Sequence, residues 1–407
     1  MYNTLFISFI NWDSLMEIPA VLKNGGCKVD IFCTKDSWVL NNKFYENAII
    51  ADADGDTFVN ELLAYIEKNK DRYDWIIPGD DIIIRLLNEK ITSEEVFYKL
   101  MPLTKIQNRD ILGSKKGFQE LCDLYNIKAP RYMIYNEDLA PAQISEYMGY
   151  PLMIKMDKSE GGFGVFLCEN ETEMIANLAK VTDKTNLVFQ QYITGYEVNT
   201  ELLCKDGELI VYNYSKRLKT IGKFGVSTQR VYFQNTELET ELQRMAKCLG
   251  LNGFGNVVFM YSEAEKAHYL IEVDVRPNSW MYYGKFTGNN FSHGVSKIVN
   301  NDLTLLKQDS KFATKKTIVC LYKKDMYRCL LEKDFKELLK WLTNGDGRWR
   351  FIPFYDKKTV VSCTKYLLNT LGGFMKQKVA KTINEHFYVP GHGKISFSNT
   401  HTMRFSK

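Results

Sequence analysis

The chain has 407 residues, which is too long for one ordinary hydrophobic core, so two or three packed units are expected. With 45% hydrophobic and 25% charged residues and no low-complexity tract, the composition is that of a folded protein and excludes a disordered or fibrous chain. The formal net charge of +4 is too small to indicate nucleic acid as the main partner.

The nine cysteines are scattered with no CxxC spacing, which favours reduced thiols over a disulfide framework or a zinc site. The apolar segment Leu5–Ile10 is short and is soon followed by Asp13, so we interpret it as a first strand and not as a signal peptide. No apolar run reaches membrane-spanning length. These features together predict a cytoplasmic protein.

Residues 1–105 alternate strand and helix patterns, which predicts a small doubly wound parallel sheet of the α/β class. The predicted strands are Thr4–Ile10, Lys28–Cys33, Asn47–Ile50 and Trp75–Ile77, and the predicted helices are Ser14–Lys23, Thr57–Asn69 and one that begins at Asp80 and Asp81. The two aspartates follow a strand's C-terminal end, where such sheets bind ligands. They are equally typical of a helix N-cap with an acidic first turn.

The next segment places two lysines near a glycine-rich loop. A helix is predicted over Arg109–Tyr125, with Lys115 and Lys116 near its start, where cations oppose the helix dipole. This placement suggests either an anion held nearby or two solvated lysines. After a strand at Arg131–Tyr135, a second short strand, Pro151–Met156, carries Lys155 and leads into the loop SEGGFG. A lysine ahead of exposed loop amides suits a polyphosphate, although a surface lysine before a tight turn has the same pattern.

Further strands follow, and the last of them carries charges. Strands are predicted at Leu187–Ile193, Val198–Cys204, Glu208–Tyr214, Asn256–Tyr261 and His268–Val275, a helix at Thr240–Leu249, and a polar loop at Ser215–Ser227. Glu272, Asp274 and Arg276 recur at alternate positions, so they point to one face. Such a row is costly in a core unless ions pair with it. It indicates either Mg²⁺ carrying a substrate phosphate or a structural salt bridge.

In this order, the motifs resemble the ATP-grasp superfamily, and especially its carboxylate–amine ligases and the related domains of carbamoyl-phosphate synthase and biotin carboxylase. The matching features are Lys115 at a helix start, "YPLMIK", the glycine loop, "FQQYITGYE" and "YLIEVDVRPN", and they cover roughly residues 1–300. The resemblance implies a pre-ATP-grasp domain at 1–105 and an α+β ATP-grasp domain at 106–304. The lobes of that domain would be 106–190 and 191–304, followed by a C-terminal extension at 305–407.

The resemblance also implies roles for single residues. Lys115 and Lys155 would contact the ATP phosphates, and Lys155 and Arg276 would support catalysis. The loop over the triphosphate would be formed by Ser159, Gly161, Gly162 and Gly164. Adenine would be bound by the hinge Gln190, Gln191, Tyr192 and Ile193, through the carbonyl of Gln190 and the amide of Ile193, and the ribose by Glu197. Glu272 and Asp274 would bind Mg²⁺, with Mn²⁺ as an alternative ion.

For the acceptor substrates, the resemblance points to the loop 215–230, in which Lys216, Arg217 and Arg230 are candidate carboxylate clamps. The full set of candidate substrate residues is Asp80, Asp81, Lys216, Arg217, Ser227, Arg230 and Asn278. The expected substrates are a small-molecule or carrier-linked carboxylate and an amine, joined by way of an acyl phosphate with release of ADP. A homo-oligomer is also expected.

Two positions depart from the family pattern. The strand before the carboxylate pair usually supplies another metal ligand, but Val258 occupies that position and Asn256–Tyr261 contains no carboxylate. Asp274 stands where the family commonly has Asn, and its charge could compensate. Three hypotheses therefore stay open: an amide-forming ligase, another ATP-grasp ligase or phosphotransferase, and a nucleotide-binding relative that has lost turnover.

Beyond the resemblance, helices are predicted at Asp334–Leu342 and Thr364–Ile383, the second with Leu367, Leu371, Phe374 and Met375 on one face. From Asp356 onward, nine Lys or Arg residues stand against two acidic residues. This segment is interpreted either as a helix packed on the core with a solvated basic face or as a contact to an anionic membrane surface.

Overall fold

The computed structural model describes residues 2–159, 164–222, 225–309, 312 and 315–386, with side chains as far as residue 373. Within these ranges, no helix combines the length and apolarity that crossing a bilayer requires. All nine cysteines are free thiols, as their spacing predicted.

The N-terminal part is the predicted parallel sheet. Its strands lie in the order β3-β2-β1-β4, with β1 at Tyr2–Ser8, β2 at Cys27–Thr34, β3 at Asn47–Ala51 and β4 at Trp75–Pro78. Its helices are α1 (Ile18–Asn24), α2 (Gly55–Lys68), α3 (Asp81–Lys90) and α4 (Glu94–Leu100), of which α4 was not predicted. Asp54 and Asp80 cap α2 and α3 by accepting backbone hydrogen bonds.

A small antiparallel sheet follows, with the strand order β5-β8-β6-β7. Its strands are β5 (Tyr132–Ile134), β6 (Leu152–Lys155), β7 (Val165–Cys168) and β8 (Val188–Gln191), and the helices of this region are α5 (Lys115–Leu124), α6 (Pro141–Met148) and α7 (Glu171–Leu178). These elements enclose a hydrophobic cluster of their own around Ile144, Leu152 and Phe189. This core is separate from the clusters that include the large sheet. The region in which Lys155 of the small sheet faces Glu197 and Glu272 of the large sheet is called the cleft.

The large sheet has seven strands, six of them in the order β14-β13-β9-β11-β12-β15, with β10 paired to β9. Its bounds are β9 (Tyr196–Lys205), β10 (Glu208–Tyr212), β11 (Ser215–Thr220), β12 (Ser227–Tyr232), β13 (Gly253–Ser262), β14 (Ala267–Asp274) and β15 (Thr317–Cys320). Helices α8 (Thr236–Leu249), α9 (Trp280–Tyr283) and α10 (Phe291–Val299) pack around it. Cluster members from β1, α2 and α3 join those of β9, β13 and α8, so the parallel sheet and the large sheet share one core.

The prediction of a polar loop at Ser215–Ser227 was wrong for its first half, because Ser215–Thr220 forms strand β11, which pairs with β12. Neither strand shows the alternation of apolar and polar residues that marks a half-buried strand. Their polar side chains are satisfied by partners on neighbouring strands: Arg230 forms an ion pair with Glu201 and donates to Asn199 Oδ1 at 3.0 Å. A strand that buries charged side chains has no apolar face, so its sequence cannot be told from that of a polar loop.

The C-terminal residues are part of the same body. Strand β15 pairs with β12, so the predicted C-terminal extension contributes a strand to the large sheet. It continues into α11 (Tyr322–Glu332), α12 (Phe335–Leu342) and α13 (Lys357–His386). Buried Asp325 ties this region to β12, since its carboxylate accepts hydrogen bonds from Thr228, Gln229, Arg328, Trp341 and Arg348. On α13, Leu367 is buried and Leu371 half-buried, while the side chains of Phe374 and Met375 lie outside the described residues.

Candidate functional site

Lys115 is the first residue of α5, as predicted, and its ammonium group is held at the mouth of the cleft. Its Nζ lies 3.1 Å from the carbonyl oxygen of Asp157, and 2.6 Å and 3.0 Å from the carbonyl oxygen and Oγ of Ser159. The Asp157 carboxylate accepts from Ser114 Oγ and the Lys116 amide, both at 2.9 Å. The ammonium of Lys115 is thus held by oxygen atoms of the segment that leads into the glycine loop. The Asp157 carboxylate lies nearby and offsets the positive charge at this helix start.

Lys155 ends β6 and is brought close to the acidic residue predicted to bind metal. Burial lowers the pKa of Lys155 to about 8; Glu272 and Glu197 oppose this decrease, and Lys115 adds to it. The four side chains come from β6, α5, β9 and β14, so the small sheet and the large sheet converge on one charged cluster. The convergence of Lys115, Lys155 and Glu272 was the central expectation from the sequence, and the fold brings these residues together.

The predicted glycine loop is only partly described. Gly161 and Gly162 lie outside the described residues, while Ser159 and Gly164 flank them. Gly164 has φ = +66°, and a Cβ there would lie 2.6 Å from Met156 Sδ, so glycine is required at this position. The carbonyl of Gly164 accepts from the Met156 amide at 2.8 Å, which joins the two ends of the loop at the end of β6.

The register of the large sheet shows which side chains share the cleft face. Residues opposite one another in neighbouring strands point to the same face. Opposite Val258 on β13 lie Asn199 on β9 and Glu272 on β14, and opposite Asn256 lie Glu201 and Asp274. Because side chains alternate along a strand, Glu197 belongs to the same face. The carboxylates of β9 and β14 therefore lie on one face of the sheet, with β13 between the two strands. They are Glu197, Glu201, Glu272 and Asp274.

Asp274 and Arg276 form an ion-pair group with a residue of the N-terminal domain. Arg276 Nη2 lies 3.3 Å from Asp274 Oδ2, and Arg276 Nε is bonded to Asp81 Oδ2. Burial raises the pKa of Asp274 well above its ordinary value; Glu272 adds to the increase, and Arg276 opposes it. Two carboxylates this close favour a cation between or beside them.

The residues present fit a magnesium ion carried by a nucleotide. Asn256 lies beside Asp274, to which its Nδ2 donates at 3.4 Å. The buried Oδ1 of Asn256 has no hydrogen-bond partner among the described residues, so a further oxygen donor lies beside the carboxylates. In the described part of the chain, no three His, Cys, Asp or Glu side chains are grouped to hold a metal by themselves. Mg²⁺ commonly binds through one or two carboxylates, water and substrate phosphates, which matches this donor set.

The predicted adenine hinge lies at the end of β8. Gln190 is opposite Tyr132 on one side and Met153 on the other, so it lies within the ladder, whereas Tyr192 and Ile193 follow the strand. The Gln191 amide donates to the Arg131 carbonyl at 2.8 Å. The side-chain Nε2 of Gln190 is buried and lacks a hydrogen-bond partner within the described residues, so a polar group of a ligand could satisfy it.

Glu197 is held by protein side chains. Its Oε1 lies 2.6 Å from Arg217 Nε and accepts from Asn199 Nδ2 at 2.8 Å. Burial raises the pKa of Glu197, and the charge of Arg217 opposes the increase. Arg217, predicted as a clamp for a substrate carboxylate, thus lies against an internal carboxylate at the cleft face.

The other predicted acceptor residues differ in position: Arg230 lies opposite Arg217 on the cleft face, whereas Lys216 lies on the other face. Lys216 lies on the opposite face of β11 from Arg217, with its Nζ 3.5 Å from the centre of the Tyr196 ring, and so the structure does not bring it to the cleft. Arg230 is buried against Glu201, Ser227 and the Trp280 ring. Asn278 Oδ1 accepts from the Trp280 amide at 2.9 Å.

Asp80 is fully buried and does not reach the cleft as a free carboxylate. It accepts hydrogen bonds from the amides of Ile83 and Phe9, at 3.0 Å and 2.8 Å, and from Ile10 at 3.3 Å. Burial raises the pKa of Asp80 to about 6, and these backbone hydrogen bonds oppose the increase. The N-cap interpretation is thus the correct one for Asp80.

Two residues of the site were missed from the sequence. Trp12 follows β1 and its ring centre lies 4.9 Å from the Arg276 guanidinium carbon. Asn256 lies two positions before Val258, on the same face. Each residue had a signal in the sequence. Trp12 follows the C-terminal end of a parallel strand, where ligands commonly bind. Asn256 is a polar amide among the apolar residues of a buried strand.

Comparisons with known proteins identify a known domain in this chain. The model of the family described as "ATP-grasp domain" matches residues 116–279. A carbamoyl-phosphate synthase of Methanobrevibacter smithii is 23% identical over 181 residues, which are 42% of this chain and 47% of that protein. The chain thus spans less than half the length of this curated relative.

Two solved structures show the same fold at low identity. The N5-carboxyaminoimidazole synthetase of Staphylococcus aureus has a TM-score of 0.62 at 16% identity, with 83% of this chain and 86% of that chain covered. The biotin carboxylase domain of the Hydrogenobacter thermophilus 2-oxoglutarate carboxylase, solved with MgADP and bicarbonate, has a TM-score of 0.58 at 15% identity and coverages of 79% and 74%. The family match, the order of the motifs and the shared architecture have one explanation: residues 116–279 of this chain form an ATP-grasp domain.

Proposed function

We propose that the protein is an ATP-dependent carboxylate–amine ligase that forms an amide bond through an acyl phosphate and releases ADP and phosphate. The observation that carries the proposal is the convergence of Lys115 and Lys155 with Glu272 and Glu197 in the cleft between the two sheets. Lysines and carboxylates that come together from four separate elements suit a magnesium nucleotide. The lysines stabilise the negative phosphates, and the carboxylates can bind the metal ion or the ribose. The amide-forming chemistry is inferred from the resemblance of the motif order to carboxylate–amine ligases.

In this proposal, Lys115 and Lys155 bind the triphosphate, and Glu272 holds Mg²⁺ with help from Asp274 and the Asn256 amide oxygen. Bound Mg²⁺ would neutralise charge that develops on the phosphates. Arg276 stabilises the phosphoryl group as it moves to the substrate carboxylate. The bond from the terminal phosphorus to ADP breaks, a bond to the carboxylate oxygen forms, and the amine then displaces phosphate at the acyl carbon.

One observation favours a second candidate, a nucleotide-binding relative with weak or no turnover. Val258 lies directly opposite Glu272 and Asn199, so the missing metal ligand leaves an apolar side chain in the middle of the cleft face. A site with one carboxylate fewer would bind Mg²⁺ more weakly. Nucleotide binding could then persist without phosphoryl transfer.

The two candidates differ in ADP release. The purified protein is incubated with ATP, Mg²⁺ and pooled amino acids and organic acids, ADP is measured by a coupled assay, and products are identified by mass spectrometry. The ligase is expected to release ADP only when an acid is present and to form a condensed product when an amine is added. Binding of an ATP analogue in calorimetry without turnover across the pools would favour the second candidate. Absence of nucleotide binding would reject both.

A further inference from the structure

We propose that Asp81 is a positioning residue that fixes the Arg276 guanidinium across the interface between the N-terminal domain and the large sheet. This inference rests on the proposed function of the cleft. It replaces the expectation that Asp81 contacts an acceptor substrate. It also gives the N-terminal domain a role in the nucleotide site that the family match, which begins at residue 116, does not include.

Three elements surround Arg276. Asp81, the first residue of α3, accepts from its Nε; Asp274, on the same strand end, lies 3.3 Å from its Nη2; and the Trp12 ring stacks beside the guanidinium, 4.9 Å away. The arginine side chain is 12% exposed and that of Asp81 is 23% exposed. The two carboxylates engage two of the five guanidinium donors, so others remain to bind a phosphate oxygen.

Asp81 and Trp12, which contact Arg276 from the N-terminal domain, are both positioned by Asp80. Asp80, the neighbour of Asp81, caps α3 through the Ile83 amide and holds the loop after β1 through the Phe9 and Ile10 amides. That loop carries Trp12. A single buried carboxylate therefore anchors both the helix that presents Asp81 and the loop that presents Trp12.

The position of Asp81 has a consequence for the metal carboxylate. Arg276 lies between two acids, and Asp274 is the one that the proposed function assigns to help Glu272 hold Mg²⁺. Without the Asp81 charge, Asp274 is the ion-pair partner that the guanidinium retains among the described residues, and the guanidinium would move towards that carboxylate. This shift would place a cation where the metal and the terminal phosphate bind, so Asp81 keeps Asp274 available while it orients Arg276.

The test compares the affinities for ADP and for the non-hydrolysable triphosphate AMP-PNP, both with Mg²⁺, by calorimetry on the full chain. The variants are Asp81→Asn, Asp81→Glu, Arg276→Gln and the double variant Asp81→Asn/Arg276→Gln. Asp56→Asn is the matched control: Asp56 is also an acid in the first turn of a helix in the same domain, and it pairs with Lys90 at 3.0 Å. Thermal denaturation checks that each variant is folded.

We expect wild type to bind AMP-PNP more tightly than ADP, and Asp81→Asn to reduce this preference about tenfold while ADP affinity changes less than about twofold. Asp81→Glu should restore part of the preference, the control should equal wild type, and the double variant should equal Arg276→Gln. A wild-type preference in Asp81→Asn, or a further loss in the double variant, would overturn the inference, since Asp81 would then act without Arg276. If wild type binds neither nucleotide, the proposed function fails, and this inference fails with it.

Discussion

Raising the pH should weaken nucleotide binding through a single side chain, Lys155. Burial lowers the pKa of Lys155 to about 8, with the charges of Glu272 and Glu197 opposing the decrease. The ammonium form, which binds phosphate, is therefore the main form below pH 8 and becomes the minor form above it. We expect the affinity for AMP-PNP to be nearly constant from pH 7 to 7.5 and to decrease above pH 8.

The magnitude follows from the titration. Between pH 8 and 9.5 the charged fraction of a group with a pKa near 8 falls roughly 15-fold. A charged hydrogen bond contributes about 1.5–3 kcal/mol, so complete loss of the lysine contact would weaken binding by about 10- to 150-fold. Over this range of contact strengths, the titration and the contact together give a decrease in affinity of roughly 4- to 14-fold between pH 8 and 9.5. Phosphate also stabilises the ammonium form, so binding at pH 8.5 should take up protons.

Calorimetry from pH 7 to 9.5 in buffers with different ionisation enthalpies measures both the affinity and the proton uptake. Lys155→Arg is the control, because a guanidinium stays charged throughout this range and the pH dependence should disappear. Glu272→Gln removes one of the two negative charges that oppose the decrease in the pKa of Lys155. The affinity of this variant for AMP-PNP should therefore begin to fall at a lower pH than that of wild type. An equal decrease in wild type and Lys155→Arg would show that another group titrates and would refute the reasoning.

Three further predictions concern the cleft and the stability of the fold. Glu272→Ala should abolish carboxylate-dependent ADP formation without unfolding the protein, whereas Asp274→Asn should retain most of this activity. Glu265→Ala, on the same hairpin, should leave the activity unchanged. The coupled ADP assay measures the activity, and circular dichroism shows whether each variant is folded. Burial raises the pKa of Glu17 from 4.5 to about 7, so its contribution to stability is present below pH 4.5 and is lost as the pH rises through 7. Glu17→Gln should remove that decrease, by up to about 3 kcal/mol at pH 8, in urea unfolding at pH 5 and pH 8; equal pH profiles for both proteins would contradict the assignment. Asp325→Asn removes the buried charge shared by Arg328 and Arg348 but leaves them paired with Asp334 and Glu337. It should cost about 1.5–3 kcal/mol in the free energy of unfolding, against less than about 0.5 kcal/mol for exposed Asp346→Asn.

The elements that were predicted from the sequence are mainly those whose apolar residues all pack into one hydrophobic core. Strands β1, β2 and β4 are apolar runs between glycine- or aspartate-bearing turns, and each was found within a few residues of its predicted bounds. The turn at Asp206 and Gly207, both with positive φ, joins β9 and β10, and this type of residue pair is typical of hairpins. In these segments local preference and tertiary packing favour the same structure.

The acceptor side of the cleft could not be predicted because adjacent residues on a strand point to opposite faces. Lys216 and Arg217 are neighbours in the sequence, and only the pairing of β11 with β9 shows that Arg217 lies beside Glu197 while Lys216 stacks on Tyr196. Asp80 and Asp81 present the same difficulty at a helix start, where one carboxylate caps the helix and the next reaches Arg276. A motif gives the type of side chain, whereas the face on which it lies depends on register and on the partner strand.

The charges on the cleft face explain why Glu272 should matter more than Asp274. Glu197 is paired with Arg217, Glu201 with Arg230, and Asp274 with Arg276. Glu272 is the remaining carboxylate of this face, and it has no ion-pair partner within 4.0 Å among the described residues. It interacts at longer range with Arg217, Arg276 and, from the other wall of the cleft, Lys155. A carboxylate without a direct ion-pair partner is more available to a metal ion than Asp274, which shares its charge with Arg276. Asn at position 274, the residue common in similar proteins, would still supply an oxygen and would release Arg276 from one acid. With Val258 opposite Glu272 supplying no oxygen, Mg²⁺ binding by the protein would depend mainly on this single glutamate.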